Sequence, residues 1–530
     1  MLDQTKTDKL GELKSVLAQA LGNDAVSDDP AARELFSQDI WTKGELAEFI
    51  VAPNSLETLS AAAAAANERG IAFNPRGGGM SYTKGYTPDR EGVAILDMSK
   101  MNRILDLNVD DMYVTVEAGC TWADLHEALS AKGVRTPFWG PLSGLSSTIG
   151  GGLSQNNAFF GAGKYGTTGD SVLSVTVVLA DGTIVRTGSA GTTGAKPFWR
   201  HYGPDLTGLF CGDCGVLGYK AEITLRLIKA PREETWASYE FDNAGGYADA
   251  MSALMREDIA TEIFGFDPNL TRVRMARASM LSDAKALKNV MKKQGNLLSA
   301  LKEGAKVAMA GRGFMADAKY NLHYTVEGHS KAGVKEEIAI LNAICEAHGG
   351  KSIENSIPKI IRANPFGPLN SILGPSGERW VPIHGLVPVS ETRDCLAKID
   401  AAFDAMRKEF DDHGIVTGYL LTSMSTTGVI IEPVFLWPEE LFEIHRQTVE
   451  PGMLSKVGTH DANPAATAVV AKGRQVVLDA FRQHGAAHFQ IGRTYPYLET
   501  REEATRALLE KIKDIVDPQR IINPGALGLE

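Results

Sequence analysis

The stretch Pro75-Arg-Gly-Gly-Gly-Met-Ser-Tyr82 directly follows a short predicted strand, Ile71 to Asn74. Three consecutive glycines let the backbone adopt positive φ angles and approach a ligand closely. Successive N–H groups in such a turn form a nest for an anion such as a pyrophosphate, and Arg76 and Ser81 can supplement it. A glycine turn after a strand also occurs for geometric reasons alone, so this stretch by itself leaves both interpretations open.

A second glycine-rich segment is Pro141-Leu-Ser-Gly-Leu-Ser-Ser-Thr-Ile-Gly-Gly-Gly-Leu-Ser-Gln-Asn156, which places hydroxyl side chains directly before a glycine triplet. Gly163-Lys-Tyr-Gly-Thr-Thr-Gly-Asp170 follows it. Two separated glycine loops suit a long dinucleotide that is held at its phosphates and at its ring system. No G-x-G-x-x-G motif follows a predicted strand with an acidic residue about 20 positions on, so a Rossmann-type site is not indicated.

Strands and helices are predicted to alternate around these loops. A helix capped by Asn54 or Ser55 runs to Gly70, a favourable C-terminal cap. The other predicted elements are strands at 92–97, 113–117, 172–179, 183–186 and 220–228, a hairpin turn at Asp181-Gly182, and helices at 9–21 and 122–132. This mixture indicates an α+β domain up to about Pro231. Beyond Pro231, helix-rich stretches at 247–310 and 334–348 and strand-like pieces at 320–326 and 429–434 predict a second domain, a sheet flanked by helices.

Composition and charge exclude several classes of protein. The 530 residues are 44% hydrophobic and 22% charged, as in ordinary globular proteins. A formal net charge of −11 argues against a nucleic-acid binder. No apolar run reaches the roughly 18 residues that cross a bilayer, and the first 23 residues lack the apolar core of a signal peptide. The five cysteines are sparse and odd in number, which predicts reduced thiols and a cytoplasmic location.

Two local features leave alternatives open. Cys211-Gly-Asp-Cys214 is a redox pair, half of a zinc site, or two small residues in a tight turn. No second CxxC or nearby HxxxH completes a metal site, which favours the turn. The stretch Lys285 to Arg312 carries seven Lys or Arg against one Glu. One interpretation is a segment that binds an anionic membrane or a partner. The other, which is favoured, is a solvated pair of helices in the second domain.

Eight further motifs follow Pro75-Arg-Gly-Gly-Gly along the chain: Val116-Glu-Ala-Gly119, Ser147-Thr-Ile-Gly-Gly151, Tyr165-Gly-Thr-Thr168, Val177-Val-Leu-Ala-Asp-Gly182, Gly203-Pro-Asp-Leu-Thr-Gly-Leu-Phe210, Gly215-Val-Leu-Gly218, Ile223-Thr-Leu-Arg-Leu227 and Asp517-Pro-Gln-Arg-Ile-Ile-Asn-Pro-Gly525. In this order the chain resembles FAD-linked flavoproteins of the vanillyl-alcohol oxidase, p-cresol methylhydroxylase and glycolate oxidase family. The resemblance implies an α+β fold with a p-cresol methylhydroxylase-type FAD-binding domain at 1–231 (core about 46–231). It also implies a mixed sheet-and-helix cap, or substrate domain, at 232–484. A C-terminal segment, 485–530, would return to the FAD domain.

The resemblance implies FAD as the cofactor and carries over a set of binding residues. The first loop would hold the pyrophosphate, and the second would line the flavin. The full set is Pro75, Arg76, Gly77, Gly78, Gly79, Met80, Ser81, Pro141, Ser147, Thr148, Gly150, Gly151, Ser154, Asn156, Gly166, Thr167, Ile223 and Asn523. Covalent links through a histidine of the first loop or a cysteine between residues 121 and 210 are excluded, because those residues are missing. A link through a cap histidine or tyrosine stays open.

For the reaction, the resemblance implies hydride transfer to FAD from a small hydroxyl-bearing substrate. Relatives that oxidise 2-hydroxy acids carry metal ligands in two segments, which here read Ser423 to Val429 and His488 to Thr494 without those ligands, so we predict no catalytic metal. Arg493 matches the arginine of a phenolate-binding Tyr-Arg pair, while the adjacent tyrosine is missing and Tyr495 follows. Arg493 either binds a substrate anion or forms a structural salt bridge. Arg493 fits either substrate class, while the missing metal ligands weigh against a 2-hydroxy acid. The main prediction is therefore a phenolic or benzylic substrate, and the alternative is a D-2-hydroxy acid of the lactate or glycolate type.

Arg379 and His384 are the candidate catalytic residues of the cap, in Arg379-Trp-Val-Pro-Ile-His384. His384 is a general base, a covalent flavin anchor or a core histidine; His488 and Tyr324 are weaker candidates. A non-redox flavin-dependent transferase of the alkylglycerone-phosphate synthase type, or a flavin-binding component of a larger complex, are alternatives of another class. Expected partners are a small-molecule substrate, O2 or an electron-carrier protein as acceptor, and a second copy in a homo-oligomer, for example a dimer. Nucleic acid is not expected, and peripheral membrane contact of 285–312 stays open.

Overall fold

The computed structural model describes residues 4–280 and 318–530, with the backbone alone for 277–280. The basic stretch 285–312 lies outside the described residues. The chain divides into unit 1, comprising Met1–Ala158, Thr167–Ala230 and Phe489–Glu530, and unit 2, comprising Phe159–Gly166 and Pro231–His488. Residues 159–166, expected in the FAD domain, therefore cluster with unit 2. Within the described ranges no helix has the length and apolar character needed to cross a membrane.

Unit 1 begins with a four-stranded sheet of β1 (Val26–Ser27), β2 (Ile50–Val51), β3 (Ala72–Arg76) and β4 (Val93–Asp97), in the order β1-β2-β4-β3. β2 and β3 run parallel to β4, whose five residues are all buried, as expected of a parallel strand. The helix Leu56–Arg69 connects β2 to β3. The Ser55 hydroxyl accepts a hydrogen bond from Thr58 N (3.2 Å), so Ser55 rather than Asn54 caps it.

The second sheet of unit 1 is antiparallel. Its strands and two flanking pieces are β5 (Ile104–Asn108), β6 (Tyr113–Glu117), β7 (Val134–Arg135), β8 (Val172–Val178), β9 (Ile184–Arg186), β10 (Tyr219–Arg226) and β11 (Ile228–Lys229). The sheet has the order β5-β6-β10-β8-β9, and β11 pairs with β7. Gly182, with a φ of 86°, makes the turn between β8 and β9, which confirms the predicted hairpin.

The last helix of unit 1, Glu503–Val516, connects the C-terminal segment to the rest of the unit. The helices of the unit are Gln4–Leu21, Pro30–Phe36, Leu56–Arg69, Trp122–Ser130, Ile149–Gln155, Leu206–Leu209 and Glu503–Val516, with 3-10 turns at Asn23–Ala25, Thr168–Ser171, Gly188–Gly191, Leu498–Thr500 and Ala526–Gly528. Lys513, fully buried, donates to Asp517 (2.6 Å) and to the carbonyl of Val216 (2.7 Å). The closing motif then lies beside β3, where Phe73 N donates to Ile521 O (2.9 Å).

Unit 2 is built on an antiparallel sheet of eight strands. They are β12 (Glu233–Phe241), β13 (Glu262–Phe266), β14 (Tyr320–Gly328), β15 (Lys351–Ser352), β16 (Arg379–Pro382), β17 (Gly385–Pro388), β18 (Val416–Met424) and β19 (Gly428–Trp437). The order is β15-β12-β14-β13-β18-β19-β16, and β17 also pairs with β19. The helices and 3-10 turns are Ala162–Tyr165, Ala244–Arg256, Pro268–Met280, Lys331–Ala347, Ser356–Ala363, Asn370–Ile372, Val389–Glu391, Thr392–Ala405, Arg407–Asp412, Glu443–Thr448, Pro451–Leu454 and Pro464–Gln483.

The two faces of this sheet have different surroundings. Directly paired residues of antiparallel strands share a face, so Leu322, Gly265, Leu421 and Ile431 form one row. This face is covered by the helices Ala244–Arg256 and Lys331–Ala347; Tyr324, for example, donates to Asn342 (2.6 Å) of the second helix.

The opposite face, which we call the Glu432 face, carries two rows. They are Asn321–Phe266–Leu420–Glu432 and His323–Phe264–Thr422–Ile430. The helix Pro268–Met280 lies against this face, because Thr271 accepts a hydrogen bond from Asn321 (2.8 Å). The sheet flanked by helices that the sequence predicts is therefore present, with one face more polar than the other.

Candidate active site

The two glycine-rich segments of unit 1 pack directly against each other. A Cβ atom added at Gly77 would overlap the Thr148 hydroxyl, and one added at Gly78 would overlap the carbonyl of Ser146. Gly79 has a φ of 74°, and its Cβ would collide with the Arg76 guanidinium. These positions accept no side chain, so only glycine allows the two loops to pack this closely; backbone amides of such glycine turns can form an anion nest.

Arg76 supplies a buried donor beside this cradle. Its guanidinium lies over the rings of Phe36 (4.1 Å to the centroid) and Tyr86 (5.4 Å). Its Nε atom is buried and has no hydrogen-bond partner among the described residues. A buried, charged donor without a partner is costly unless an anion satisfies it. The cradle and this donor together fit the pyrophosphate of a dinucleotide such as FAD.

The second loop begins the helix Ile149–Gln155. The Thr148 hydroxyl caps it by accepting from Gly151 N (3.2 Å), and a Cβ at Gly150 would press on Ala118. The helix ends at Asn156, which has a φ of 53° and accepts from Gly169 N (3.1 Å). This ordering holds the loop in one conformation beside the first loop.

The remaining predicted flavin residues are more scattered. Ser147 shares a hydrogen bond with Ser143 (2.6 Å), and Thr167 donates to Asp170 (2.9 Å). Ile223 is buried in the middle of β10, while Gly166 clusters with unit 2. Pro75 is the penultimate residue of β3, and Met80, Ser81, Pro141 and Ser154 lie in or next to the two glycine loops. Direct contact of each of these residues with the cofactor stays a prediction.

Asn523, expected to close the flavin site, holds three backbone segments of unit 1 together. Its amide nitrogen donates to the carbonyls of Gly85 (2.9 Å) and Cys214 (2.7 Å). Its oxygen accepts from Arg493 Nη2 (2.9 Å). The amide is thus occupied by the protein itself, and a further contact with FAD stays a prediction.

Arg493 is anchored in unit 1. Beyond Asn523, its guanidinium donates to the carbonyls of Lys84 (2.7 Å) and Pro524, and Nε lies 3.6 Å from a carboxylate oxygen of Asp89. The side chain is only 9% exposed. These contacts favour the structural interpretation of Arg493; substrate binding by Arg493 and by the buried Tyr495 stays a prediction.

The two predicted cap residues are buried in unit 2. The Arg379 guanidinium lies over the rings of Phe442 (4.0 Å) and Trp437 (5.1 Å). His384 is fully buried in the turn between β16 and β17, and its carbonyl lies 3.0 Å from His488 Nδ1. Arg379 is thereby fixed by packing, and the roles of both as catalytic residues remain predictions.

A polar cluster on the Glu432 face was not predicted from the sequence. It consists of Arg274, on the helix Pro268–Met280, with Glu432 and His323. Burial raises the pKa of the Glu432 carboxyl to about 7, although the nearby Arg274 charge lowers it. Burial lowers the pKa of Arg274 to about 10, which leaves it charged at neutral pH. Such displaced pKa values in one place are typical of functional sites.

His323 is the neutral member of this cluster. Burial and the Arg274 charge lower its pKa to about 3. Its Nε2 lies 2.8 Å from Asn321 Oδ1 and its Nδ1 lies 2.8 Å from Ser238 Oγ. Because the Asn321 oxygen can only accept, Nε2 carries the proton and Nδ1 accepts from the serine.

The CxxC pair lies in a loop of unit 1. Burial raises the pKa of Cys211 to about 11 and that of Cys214 to about 12, so both thiols are protonated at neutral pH. Cys214 Sγ accepts a hydrogen bond from Gly492 N (3.2 Å). In the part of the chain that the structure describes, no group of three His, Cys, Asp or Glu side chains is placed to hold a metal ion.

Two family models match the chain. The model described as FAD binding domain matches residues 47–188, and the one described as FAD linked oxidases, C-terminal domain, matches residues 484–527. Both lie where the glycine loops and the closing motif occur. FAD is therefore the cofactor, as the sequence predicts.

Sequence relatives include a glycolate oxidase protein and several D-lactate dehydrogenases. The chain is 29% identical to the glycolate oxidase protein GlcD of Bacillus subtilis over 280 residues, covering 52% of this chain and 58% of the relative. It is 25% identical to the mitochondrial D-lactate dehydrogenase [cytochrome] of Kluyveromyces lactis over 545 residues, 99% of this chain and 81% of the relative. For other curated relatives near the top, the chain spans about half of their length, between 41% and 50%.

The fold is that of p-cresol methylhydroxylase. The solved structure of that enzyme with substrate bound superposes with a TM-score of 0.74 at 17% identity, covering 100% of this chain and 98% of the other. At this identity the likeness shows the fold alone. It confirms the predicted α+β architecture with a p-cresol methylhydroxylase-type FAD-binding domain.

Proposed function

We propose that this chain, which belongs to the FAD-linked oxidase family, is a flavin-dependent dehydrogenase that oxidises a D-2-hydroxy acid. The observation that carries the proposal is the alignment with a D-lactate dehydrogenase along 99% of the chain. Other relatives are also D-lactate dehydrogenases, and one is a D-2-hydroxyglutarate dehydrogenase. The family models and these relatives support the predicted FAD-dependent oxidoreductase.

The relatives favour the alternative substrate class over the phenolic or benzylic one. p-Cresol methylhydroxylase resembles the chain at 17% identity and supports the fold only. Arg493, which the sequence offers as a ligand for either a phenolate or a carboxylate, donates to groups of unit 1 itself. A D-2-hydroxy acid is therefore the substrate class that we carry forward.

Oxidation of a 2-hydroxy acid requires an acceptor for a hydride, a base and an anchor for the carboxylate. Bound FAD supplies the two-electron acceptor. The chain must fix the carboxylate, commonly through an arginine, and remove the hydroxyl proton. Arg274 and Glu432 are residues of the types that these two tasks need.

The test is anaerobic mixing of the holoenzyme with a panel of compounds while the flavin absorbance is recorded. The panel contains D-lactate, D-mandelate and D-2-hydroxyglutarate, their L-enantiomers, 4-ethylphenol and benzyl alcohol. We expect at least one D-2-hydroxy acid to bleach the flavin, and its L-enantiomer to bleach it far more slowly. Bleaching by the phenol or the benzylic alcohol alone would replace the proposal by the phenolic one. No bleaching by any compound would favour a non-redox transferase or a flavin-binding component of a larger complex.

A further inference from the structure

Two charged side chains on the Glu432 face are left without direct partners. Neither the Arg274 guanidinium nor the Glu432 carboxylate makes a hydrogen bond or an ion pair within residues 4–280 and 318–530. Both are substantially removed from water, so the protein meets a desolvation cost that no direct partner offsets. The Arg274 charge, retained under these conditions, and the raised pKa of Glu432 beside it are typical of a site that binds a ligand.

Arg362, another arginine of unit 2, shows what a structural arginine looks like in this fold. It is 6% exposed and forms ion pairs with Glu262 (2.8 Å) and Glu327 (2.7 Å). Its charge is therefore compensated by the protein itself. Arg274 has no comparable carboxylates in contact, although Glu432 lies close enough to influence its pKa.

A chain of hydrogen bonds positions Arg274. Ser238, His323 and Asn321 are linked in series at 2.8 Å, and Asn321 donates to Thr271 at 2.8 Å. Thr271 and Arg274 are three positions apart and share a face of their helix. The helix begins at Asp267, which accepts from Leu270 N (2.9 Å). The network therefore fixes the helix that presents the guanidinium to the sheet.

Arg274 and Glu432 are surrounded by apolar and aromatic side chains. The Arg274 guanidinium lies 4.1 Å from the centroid of the Phe266 ring. A buried cluster, with partly buried side chains packed against it, continues this surface: Phe264, Phe266, Leu270, Val434 and Leu436, with Phe159, Val273, Ile361, Trp380 and Leu420. Leu420 pairs with both Phe266 and Glu432, so two strand spacings, about 10 Å, separate the latter two. That distance suits a small acid that carries a ring.

We propose that the Glu432 face binds a 2-hydroxy acid with an aryl or bulky apolar substituent, whose carboxylate pairs with Arg274 and whose hydroxyl proton passes to Glu432. The proposal rests on the proposed function, for which it names the substrate class and two residues. The partly buried apolar side chains beside the pair, such as Val273 and Leu420, receive the substituent. A substrate as small as lactate leaves that surface uncovered.

The proposed reaction is a two-electron oxidation of the 2-hydroxy acid to a 2-oxo acid. The C2–H bond breaks, and its hydrogen leaves with both electrons; bound FAD would supply the two-electron acceptor. The O–H bond breaks, its proton forms a bond to a Glu432 carboxylate oxygen, and the C–O single bond becomes the carbonyl of a 2-oxo acid. The two electrons would finally pass to O2 or an electron carrier, and Glu432 releases its proton to solvent. Arg274 stays charged throughout and holds the carboxylate.

The first test measures binding to the holoenzyme by calorimetry, with three compounds that cannot be oxidised at C2. Phenylacetate has the ring and the charge, acetate has the charge alone, and phenylacetamide has the ring alone. We expect phenylacetate to bind at least about tenfold more tightly than either of the others. Arg274→Met lowers its affinity by about 10- to 100-fold and leaves phenylacetamide unchanged, because one charge-assisted pair is lost.

The matched control is Arg272→Met, two positions earlier on the same helix, where an exposed guanidinium donates to Asn269 (2.9 Å). It leaves phenylacetate affinity unchanged. Acetate binding as tightly as phenylacetate, or unchanged phenylacetate affinity in Arg274→Met with normal FAD content, would overturn the proposal.

The second test addresses Glu432 through the flavin reduction rate. Glu432→Gln slows reduction by D-mandelate at least about 100-fold, since the proton acceptor is lost, while phenylacetate affinity stays within about threefold. Glu443→Gln, at a surface carboxylate that accepts from Gln447 (3.0 Å), is the control. An unchanged rate in Glu432→Gln, or faster reduction by D-lactate than by D-mandelate, contradicts the proposal. Arg274-dependent binding of phenylacetate without reduction by any 2-hydroxy acid would support the anion site while refuting the proposed reaction.

Discussion

At the scale of single residues, the contacts of Arg493 favour a structural role over a catalytic one. Its guanidinium donates to Asn523 and to two backbone carbonyls and lies near Asp89. Arg493→Met leaves these buried acceptors without donors, so we expect the free energy of unfolding to fall by about 2–4 kcal/mol. Arg493→Lys restores only part of it, because a lysine lacks the fork of donors. Denaturant titration of the holoenzyme measures this; unchanged stability together with slower flavin reduction would instead make Arg493 a substrate ligand.

Glu432 predicts a pH dependence of flavin reduction. Its pKa is raised by burial to about 7, so the carboxyl is protonated at lower pH and cannot accept a proton there. The reduction rate should therefore rise with pH through about 7 and level off above it. The charged and titratable neighbours are Arg274, which stays charged, and His323, whose pKa of about 3 keeps it neutral in this range. Rapid mixing at a series of pH values gives the profile; an identical rise in Glu432→Gln would assign it to another group.

At the scale of elements, the contact between the two glycine loops is a condition for FAD binding. Gly78→Ala would place a methyl group against the carbonyl of Ser146, which belongs to backbone and cannot swing away. We expect the purified variant to retain less than about a tenth of the FAD, as judged by the ratio of flavin to protein absorbance. Gly11→Ala, where a Cβ would meet nothing within 4 Å, is the control. Full FAD content in Gly78→Ala would show that the loops do not form the cradle.

Local signals in the sequence predict the elements of unit 1 well. The helix Leu56–Arg69 has a capping side chain at Ser55 and Gly70 in the left-handed region, and both are legible in the sequence. The hairpin between β8 and β9 has its Asp-Gly turn. In unit 2, β12, β13 and β18 were missed, because their pairing partners lie as far apart as Glu234 and Glu327, and no local pattern specifies such contacts.

The candidate substrate residues were missed for a related reason. Arg274 and Glu432 are separated by more than 150 positions and become neighbours only through the sheet. One signal was present: Glu432 is a lone charge in Gly-Val-Ile-Ile-Glu-Pro-Val-Phe-Leu-Trp437, an otherwise apolar strand. Sequence motifs pointed to Arg493 and His384. A motif does not show whether a side chain is already hydrogen-bonded or packed against other residues of the same chain.

At the scale of the whole molecule, the prediction of a metal-free enzyme is open to direct test. The segment Ser423 to Val429, where metal-dependent relatives carry ligands, forms the turn between β18 and β19, with Ser425 at a φ of 53°. Its side chains are not those that bind transition metals well. Treatment with EDTA and removal of the chelator should leave turnover with the best D-2-hydroxy acid unchanged. Loss of turnover that Zn²⁺ or Mn²⁺ restores would show that ligands elsewhere replace the missing set.

The central claim is that this chain, with FAD bound, takes a hydride from C2 of a D-2-hydroxy acid. The most direct measurement is anaerobic titration of the holoenzyme with D-mandelate, recording the flavin spectrum and the 2-oxo acid formed. We predict full bleaching with one equivalent of 2-oxo acid per FAD, and at least about 100-fold slower bleaching with L-mandelate, because the fixed carboxylate directs only one C2–H bond. Bleaching without 2-oxo acid, equal rates for the two enantiomers, or a flavin that stays oxidised with every D-2-hydroxy acid while 4-ethylphenol reduces it would contradict the claim.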